Sequence, residues 1–330
     1  MQVITVDGSY MEGGGQILRT ALALSAVTRE GVRINSVRVR RQRPGLAPQH
    51  LAVVNALTEL THARVQGNRV GSITVEFEPQ EIDPAHLTFD IGTAGSATLF
   101  LHAILPVLLW RRGSYLVSVR GGTNVPRSPS VEHFEHAFLS NLSRFGPEFS
   151  VQVERRGFYP AGGGQVNVCV TCNGVKPLLF CERGSSLGSF AISGATLDLK
   201  KRRVAERQLE QVRAKEKHVH YFEATSTGSF VFIGERFTYV SVGVDSLGAP
   251  GKRAEHVGLE AQSLFDSQSC VLDEFTSDQI VPYLALYGGV AAVADTPHVR
   301  ANVYVCSLFS LKRIKTRDLG HGCLLLQTDQ

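Results

Sequence analysis

Apolar and polar positions along the first half of the chain alternate between two rhythms, a period of two and a period of three to four. "ITVDG" (Ile4–Gly8) reads as a short strand, and the apolar positions from about Gln16 to Val27 fall at helical spacing. The pattern then repeats: "VRINSVRVR" predicts a strand, "PQHLAVVNALTEL" a helix, "SITVEFEP" a strand, "GSATLFLHAILPVLL" a helix, "YLVSVRGG" a strand and "SVEHFEHAFLSNLSRFG" a helix. The strands "FSVQVERRGF" and "GGGQVNVCVT" follow, and alternation of this kind predicts α/β layers. From about Glu182 the rhythm changes to a strand "SFAISGA", a charged helix near "KRRVAERQLEQVRAKEK", strands "GSFVFIGE" and "FTYVSVGV", and a helix "AEHVGLEAQSLF". After about Asp273 a helix "TSDQIVPYLALYGG" and strands "VAAVA" and "RANVYVC" return to the earlier pattern. The expected organisation is a large unit over residues 1–181 and 273–330, interrupted by a small α/β unit over 182–272.

One tetrapeptide occurs twice, GGGQ, in "MEGGGQILR" (Met11–Arg19) and in "PAGGGQVNV" (Pro160–Val168), which argues for duplicated units. Glycines permit close backbone approach, and bare N–H groups at a helix start attract anions. Neither the P-loop pattern, which needs Lys-Ser or Lys-Thr, nor G-x-G-x-x-G is present. The second copy lacks the acid and the arginine that flank the first, so the glycines serve a turn in both while Glu12 and Arg19 serve something else.

Composition narrows the class without naming a function. At 330 residues and 43% apolar content the chain can bury one large core or two smaller ones. The apolar run Leu99–Trp110 is broken by His102 and Pro106 and is well short of the ~20 residues that cross a bilayer, and the N-terminus reads as a strand rather than a signal peptide. No membrane span is expected, and the protein is expected inside the cell: cytoplasmic in a bacterium or archaeon, with the nucleus open in a eukaryote. Six scattered cysteines predict no disulfide framework, and Cys169 and Cys172, three apart on an alternating strand, face opposite ways and suit neither metal nor redox chemistry. A net charge of +4 is too weak to establish nucleic-acid binding. Five arginines, Arg33, Arg38, Arg40, Arg41 and Arg43, nevertheless fall within eleven residues, either as an anion-binding group or as a solvated strand edge.

"DGSYMEGGGQILRTALALS", "VRVRRQRPGLAPQHLAVV", "GTAGSATLFLHAILP", "GGTNVPRSPSVEHF" and "RRGFYPAGGGQV" occur in that order, followed by "VAERQ", "EHVG", "DEFTSDQIVPYLALYGG" and "HVRANVYV". Together they resemble the RNA 3'-terminal phosphate cyclase family over nearly the whole chain. The resemblance implies a large domain of three βαβαββ repeats, like those of the C-terminal half of translation initiation factor 3, with a smaller inserted α/β domain. It also implies an ATP-dependent ligase that converts an RNA 3'-phosphate end to a 2',3'-cyclic phosphodiester through a covalent histidine-AMP intermediate.

Carried over position by position, the resemblance places the nucleophile on His298 of "HVRAN", with Asn302 four residues later, and the catalytic arginines on Arg19, Arg38 and Arg41. Neutral imidazole suits the role, because it attacks phosphorus without first losing a proton from the attacking nitrogen. Every step gathers negative charge, which calls for cations at phosphoryl oxygens. Gln49 and His50 of "PGLAPQH" stand beside the arginines, and Glu12 is the expected ligand for Mg²⁺ or Mn²⁺, with an N-cap or ion-pair role as its alternative. Pro129 and Phe275 match positions that stack the adenine of ATP, and Asp278 with Gln279 match an Asp-Gln pair; read alone, Phe275 is core and the pair is an exposed first helical turn.

Three places depart from the family pattern. His102 stands where glutamine is common, Ala301 where threonine is common, and Val131–His133 replaces Val-Asp-Tyr. His102 either preserves a polar contact to ligand or is a satisfied helix histidine. Two rivals share the scaffold, a noncatalytic cyclase-like protein of ribosome assembly that binds RNA or protein, and an enolpyruvyl-type transferase; neither needs a nucleophilic histidine. The sequence leaves the oligomeric state open.

Overall fold

The computed structural model describes residues 3–329. Its first unit runs β1 (Ile4–Asp7), α1 (Gly15–Thr28), β2 (Val32–Asn35), α2 (Pro48–Thr61), β3 (Arg64–Gln66) and β4 (Val75–Glu78). The four strands form one sheet in the order β1-β2-β4-β3, with β1 and β2 parallel and the other neighbours antiparallel. The second unit repeats this topology with β5 (Thr88–Asp90), α3 (Ala97–Arg111), β6 (Gly113–Gly121), a helix over 131–143, β7 (Glu148–Arg155) and β8 (Gly164–Cys172), ordered β5-β6-β8-β7. That helix is α4 (Val131–His133), a π-helical segment (Phe134–Leu139) and α5 (Ser140–Ser143) in sequence.

The third unit opens with β9 (Leu178–Phe180) and then breaks off into a fourth sheet. This sheet comprises β10 (Ser186–Thr196), β11 (Glu216–Phe222), β12 (Ser229–Phe237) and β13 (Ser241–Leu247), ordered β11-β10-β12-β13. Helices α6 (Val204–Leu209) and α7 (Ala254–Asp266) pack on it over a small core of its own that includes Leu209, Val231, Ile233 and Val257. The third unit resumes with α8 (Glu274–Tyr287), β14 (Gly289–Ala294), α9 (Pro297–Ser307), β15 (Ile314–Gly320) and β16 (Cys323–Thr328), and its strands lie β15-β16-β14-β9 with β9 and β14 parallel. Three βαβαββ repeats and an insertion between the first strand and first helix of the third therefore account for the α/β fold.

Five local expectations are corrected. "RANVYVC" lies in helix α9, not a strand: the Thr296 hydroxyl caps it by accepting from the Val299 N–H, and Pro297 opens its first turn. β2 stops at Asn35, because Ser36 (φ 54°) and Arg38 (φ 54°) are left-handed and turn the chain into a loop. The long charged helix expected over 201–217 shrinks to α6, and its last two residues, Glu216 and Lys217, instead open β11, which pairs in parallel with β10; sheet pairing overrides helix propensity at those two positions. The two GGGQ copies are not equivalent, since Gly15 begins helix α1 whereas Gly164 begins strand β8 in a hairpin. Cys270 and Cys323 form a disulfide, contrary to the cysteine reading, and join the end of the insertion to β16. Cys169 is exposed and Cys172 buried, as alternation requires. Among the described residues no helix is long and apolar enough to cross a membrane.

Helix α1 is what the fold is built around. Residues 16–27 are buried on all sides, rich in Leu and Ala that favour helix, and packed against α2, α3 and α9. A helix so enclosed can hold polar residues only where they are satisfied by partners or reach an opening. Gln16, Arg19 and Thr20, in its first turns, are such residues, and they lead to the candidate site.

Candidate active site

The loop "GSYMEGGG" brings Glu12 to the first turn of α1. Met11 (φ 51°) and Gly13 (φ 59°) are left-handed, and Asp7 braces the turn by accepting from the Ser9 N–H and hydroxyl at 2.8 and 2.7 Å. The Glu12 carboxylate, half exposed, stands 3.2 Å from a terminal nitrogen of Arg41 and 3.7 Å from Nε2 of His298. The other ring nitrogen of His298, Nδ1, lies 3.6 Å from Asp278 Oδ2. The imidazole therefore sits between an open acid on its Nε2 side and a buried one on its Nδ1 side. Because Thr296 caps α9, His298 is in the first helical turn, where the backbone dipole favours an anion.

Thr296 does a second job: its hydroxyl donates to Asp278 Oδ1 at 2.8 Å, tying the cap of α9 to the carboxyl that faces the histidine. Burial pushes the Asp278 carboxyl up to about 8, against which the hydrogen bond from Thr296 and the charge of Arg19 act. Burial likewise lowers His298; Glu12 opposes this, while Arg19 and Arg41 reinforce it, so the ring is neutral at neutral pH. Arg19 is enclosed, donates to Gln16 Oε1 at 2.7 Å, and is lowered to about 10 by burial, with Asp278 opposing. Its Nε has no partner among the described residues.

His50 and the glycines fit one another. The Ala47 N–H donates to His50 Nδ1 at 3.2 Å, which leaves Nε2 as the protonated nitrogen and points it at Gly15. Burial, helped by Arg19 and Arg38, takes His50 down to about 3, so it stays neutral. A methyl group at Gly15 would overlap the His50 ring, whereas one at Gly14 would meet only the mobile end of Arg41 at 3.3 Å and His298 Nε2 at 3.8 Å. Gly15→Ala should therefore lose about 1–3 kcal/mol by overpacking, more than the ~1 kcal/mol gained in helix propensity, while Gly14→Ala should not. Urea unfolding of the two variants checks this, and equal stability would contradict it.

Several predicted residues have other placements. Asn302 is fully buried; it accepts from Thr20 at 2.7 Å and donates to the Asp278 carbonyl at 2.7 Å. Gln279 exchanges hydrogen bonds with Gln16 at 3.3 and 3.5 Å. These residues lock α1, α8 and α9 together behind His298, and Gln16 and Thr20, which the motif reading left without a role, complete the lock. Asp278 and Gln279 are buried, not the exposed first turn that composition alone suggests. Arg38 lies in the loop after β2 and donates to the Gly45 carbonyl at 2.7 Å. His102 is enclosed by Phe134 and Phe138, with ring centroids at 5.1 and 4.4 Å, and neither ring nitrogen has a partner among the described residues. Burial holds it well below the ordinary histidine range, with His133 and Arg19 adding to the effect.

Phe275 lines a cavity of about 570 Å³ together with Ser128, Asp245 and Asp273; His298 and Pro129 are not in its lining. Pro129 is buried, and its carbonyl accepts from the Thr98 hydroxyl at 2.7 Å. Gln49 accepts weakly from the Ser96 N–H at 3.4 Å, one residue along from His50. Among the described residues no group of three or more His, Cys, Asp or Glu side chains is arranged to hold a metal.

A family model described as RNA 3'-terminal phosphate cyclase matches residues 10–316. The RNA 3'-terminal phosphate cyclase of Staphylothermus marinus is 40% identical over 94% of this chain and 92% of its own length, and that of Thermococcus gammatolerans 41% identical over 94% and 93%. Among solved structures, the enolpyruvyl transferase NikO from Streptomyces tendae aligns with a TM-score of 0.42 at 13% identity, covering 99% of this chain and 48% of that one.

Proposed function

Because this chain belongs to the RNA 3'-terminal phosphate cyclase family, we propose that it uses ATP to convert an RNA 3'-phosphate into a 2',3'-cyclic phosphodiester, with His298 as a transient carrier of AMP. The observation that carries this reading is the position of His298 between Glu12 and Asp278, with Arg41 and Arg19 close by.

A phosphate monoester has no good leaving group, so its cyclisation needs prior activation. Nε2 of His298, on the open side of the ring, attacks the α-phosphorus of ATP; a P–N bond forms and pyrophosphate leaves. Nδ1 faces the Asp278 carboxyl at 3.6 Å, which limits the ring's rotation, and the open carboxylate of Glu12 offsets the positive charge that develops on the ring. An oxygen of the RNA 3'-phosphate then attacks the same phosphorus, the P–N bond breaks, and histidine is restored. The neighbouring 2'-hydroxyl loses its proton and attacks the RNA phosphorus, displacing AMP in an intramolecular step that proximity favours.

Arg41 and Arg19 supply positive charge at the phosphoryl oxygens through these steps, and the enclosure of Arg19 strengthens its field. Glu12 offers a hard carboxylate donor at an open position and would hold Mg²⁺ or Mn²⁺, which would neutralise phosphate charge. The lock formed by Gln16, Thr20, Gln279 and Asn302 holds α1, α8 and α9 so that Arg19, Asp278 and His298 keep their spacing.

The test is direct. An RNA oligonucleotide with a labelled 3'-phosphate, incubated with the protein, ATP and Mg²⁺, should become resistant to phosphatase. An end that binds but stays sensitive would overturn the reading in favour of a noncatalytic binder.

A further inference from the structure

The inserted domain has a cavity of its own, about 440 Å³, between the segment Leu197–Arg203 and the loop Gly248–Lys252 that leads into α7. Arg202, Arg207, Lys252 and Arg253 line it, and no carboxylate among the described residues does. Glu255 pairs with Arg207 at 2.8 Å and lies 3.9 Å from Arg253, and Glu260 pairs with Lys252, while Arg202 makes no ion pair among the described residues. Lys200, Lys201 and Arg203, all exposed, extend the basic surface along the same segment. Across the Gly248–Lys252 loop lies the 570 Å³ cavity that Phe275 lines, and four carboxylates, Asp245, Glu260, Asp273 and Glu274, face it. A polyanion is therefore repelled on one side of that loop and attracted on the other.

We propose that this basic cavity binds a backbone phosphate of the RNA several nucleotides upstream of the reacting 3'-end; the inference rests on the RNA reading above. The cavity holds a donor that the fold leaves unused. The Ser229 hydroxyl, 5% exposed, accepts from Gln208 Nε2 at 2.9 Å and gives its own hydrogen to no acceptor among the described residues. Gly248 keeps the approach to it open, because a methyl there would come within 2.2 Å of Ser229 Oγ. The N-cap of α7, Arg253, makes no side-chain cap bond, so the N–H groups of the first turn add to the positive potential. No aromatic ring among the described residues lines the cavity, and Leu199, Val204 and Val257 are its apolar wall. It offers cations to a phosphate and no surface on which a base stacks, which favours the backbone of a strand over a free nucleotide.

One wall of the cavity joins it to the large domain. The Ala161 N–H, in the connection between β7 and β8, donates to the Ser226 hydroxyl at 3.0 Å, and a methyl at Gly163 would meet Thr225 Oγ1 at 3.5 Å. Thr227, Gly228 and Ser229, next along that turn, line the cavity. The Thr227 hydroxyl donates to Asp198 Oδ2 at 2.7 Å, which ties the turn to the basic segment and engages the one acid within Leu197–Arg203. A strand held by its 3'-end near His298 crosses this junction from the large domain to the insertion, where its phosphates meet Arg202 and Arg253. Recognition of this kind reads charge and not sequence.

The test compares two RNAs with a 5'-fluorophore and a 3'-phosphate, a dinucleotide and an oligonucleotide of about ten nucleotides, binding to the full chain without ATP over about 50–200 mM salt. The wild type should bind the longer RNA more tightly. The double variant Arg202→Gln/Arg253→Gln, changed at two exposed positions outside the catalytic cluster, should bind the longer RNA about tenfold more weakly at low salt. Its salt slope should fall by about 1.4, the value of two single-strand phosphate contacts, and binding of the dinucleotide should not change. With ATP and Mg²⁺ the variant should raise KM for the longer RNA and leave kcat as it is. Unchanged affinity and slope for the longer RNA in a variant of normal thermal midpoint would overturn the site, as would an equal loss on the dinucleotide. A thermal shift with inorganic phosphate that the variant abolishes, together with no dependence on RNA length, would mark a site for free anions and overturn the strand proposal. Length-dependent binding that needs Arg202 and Arg253, in a protein that does not cyclise the end, would leave the site standing and remove the catalytic reading. Cyclisation with a KM indifferent to RNA length and to the variant would do the reverse.

Discussion

Asp273→Ala is expected to destabilise the protein by about 3–5 kcal/mol, the cost of removing one member of a buried ion pair. Asp273 and His133 are each about 1% exposed, and they meet at 2.7 Å between residues 140 positions apart. The same carboxylate caps α8 by accepting from the Thr276 N–H and hydroxyl, both at 2.8 Å, and it accepts from the Gly243 N–H of β13 at 3.3 Å. One side chain thus joins the second repeat, the inserted sheet and the third repeat. Burial lowers His133, but the charge and hydrogen bond of Asp273 outweigh it and leave the ring raised. Burial raises Asp273, but His133 and the bonds from Thr276 outweigh it and leave the carboxyl lowered.

The signs fix the pH dependence. A raised histidine contributes stability that is full below its unfolded value of 6.5 and lost as pH rises through its folded value. A lowered carboxyl contributes stability that is full above 3.8 and lost as pH falls through its folded value. The pair therefore stabilises most between those two values, and the loss in Asp273→Ala should shrink as pH rises past the folded value of His133. Urea unfolding at pH 6 and pH 9 measures this, and a loss under about 1 kcal/mol at pH 6 would contradict it. Phe275, whose ring lies edge-on to His133 at 5.4 Å, should loosen in the same variant.

His298→Ala is expected to lower cyclisation by at least about 10⁴-fold, the scale seen when a nucleophile is removed and only binding and electrostatics remain. The replacement should leave the fold intact, because the ring is 38% exposed and its contacts to Glu12 and Asp278 are beyond hydrogen-bond length. Asn302, Gln279, Gln16 and Thr20, which hold the helices, do not touch the ring through any hydrogen bond. Unaltered thermal unfolding alongside lost turnover separates a chemical role from a structural one. Turnover within tenfold of wild type would exclude His298 as the AMP carrier.

Periodicity made the repeats legible because each βαβαββ unit buries one face of its strands and helices, and burial writes the period into the sequence. Where the local signal and the tertiary one disagree, sequence reasoning failed. In "HVRANVYVC" the valines and tyrosine favour a strand, but the Thr296 cap and Pro297 set a helix that packs on α1 and α8. The expected charged helix runs to Lys217, but Glu216 and Lys217 open an edge strand because β10 offers them a partner. Glu12, Arg41, Asp278 and His298 came from motif resemblance, and the structure brings all four within one cluster. Gln16 does carry a signal, a glutamine beside Arg19 and Thr20 at the start of a helix whose remainder is mostly apolar, and such a group must be satisfied if it is buried. The His133–Asp273 pair carried none, because its members are separated by the whole inserted sheet. Nor did tetrapeptide identity mean structural identity. The first GGGQ admits His50 and Arg41 to the start of α1, and the second packs its backbone against Ala94.

Transfer of AMP to His298 leaves a covalent trace that can be read directly. The purified protein, incubated with α-labelled ATP and Mg²⁺ and then denatured, should retain label in an acid-labile, alkali-stable linkage, and His298→Ala should retain none. Cyclisation by the wild type with no labelled protein at any time, or the same labelled adduct in His298→Ala, would contradict it.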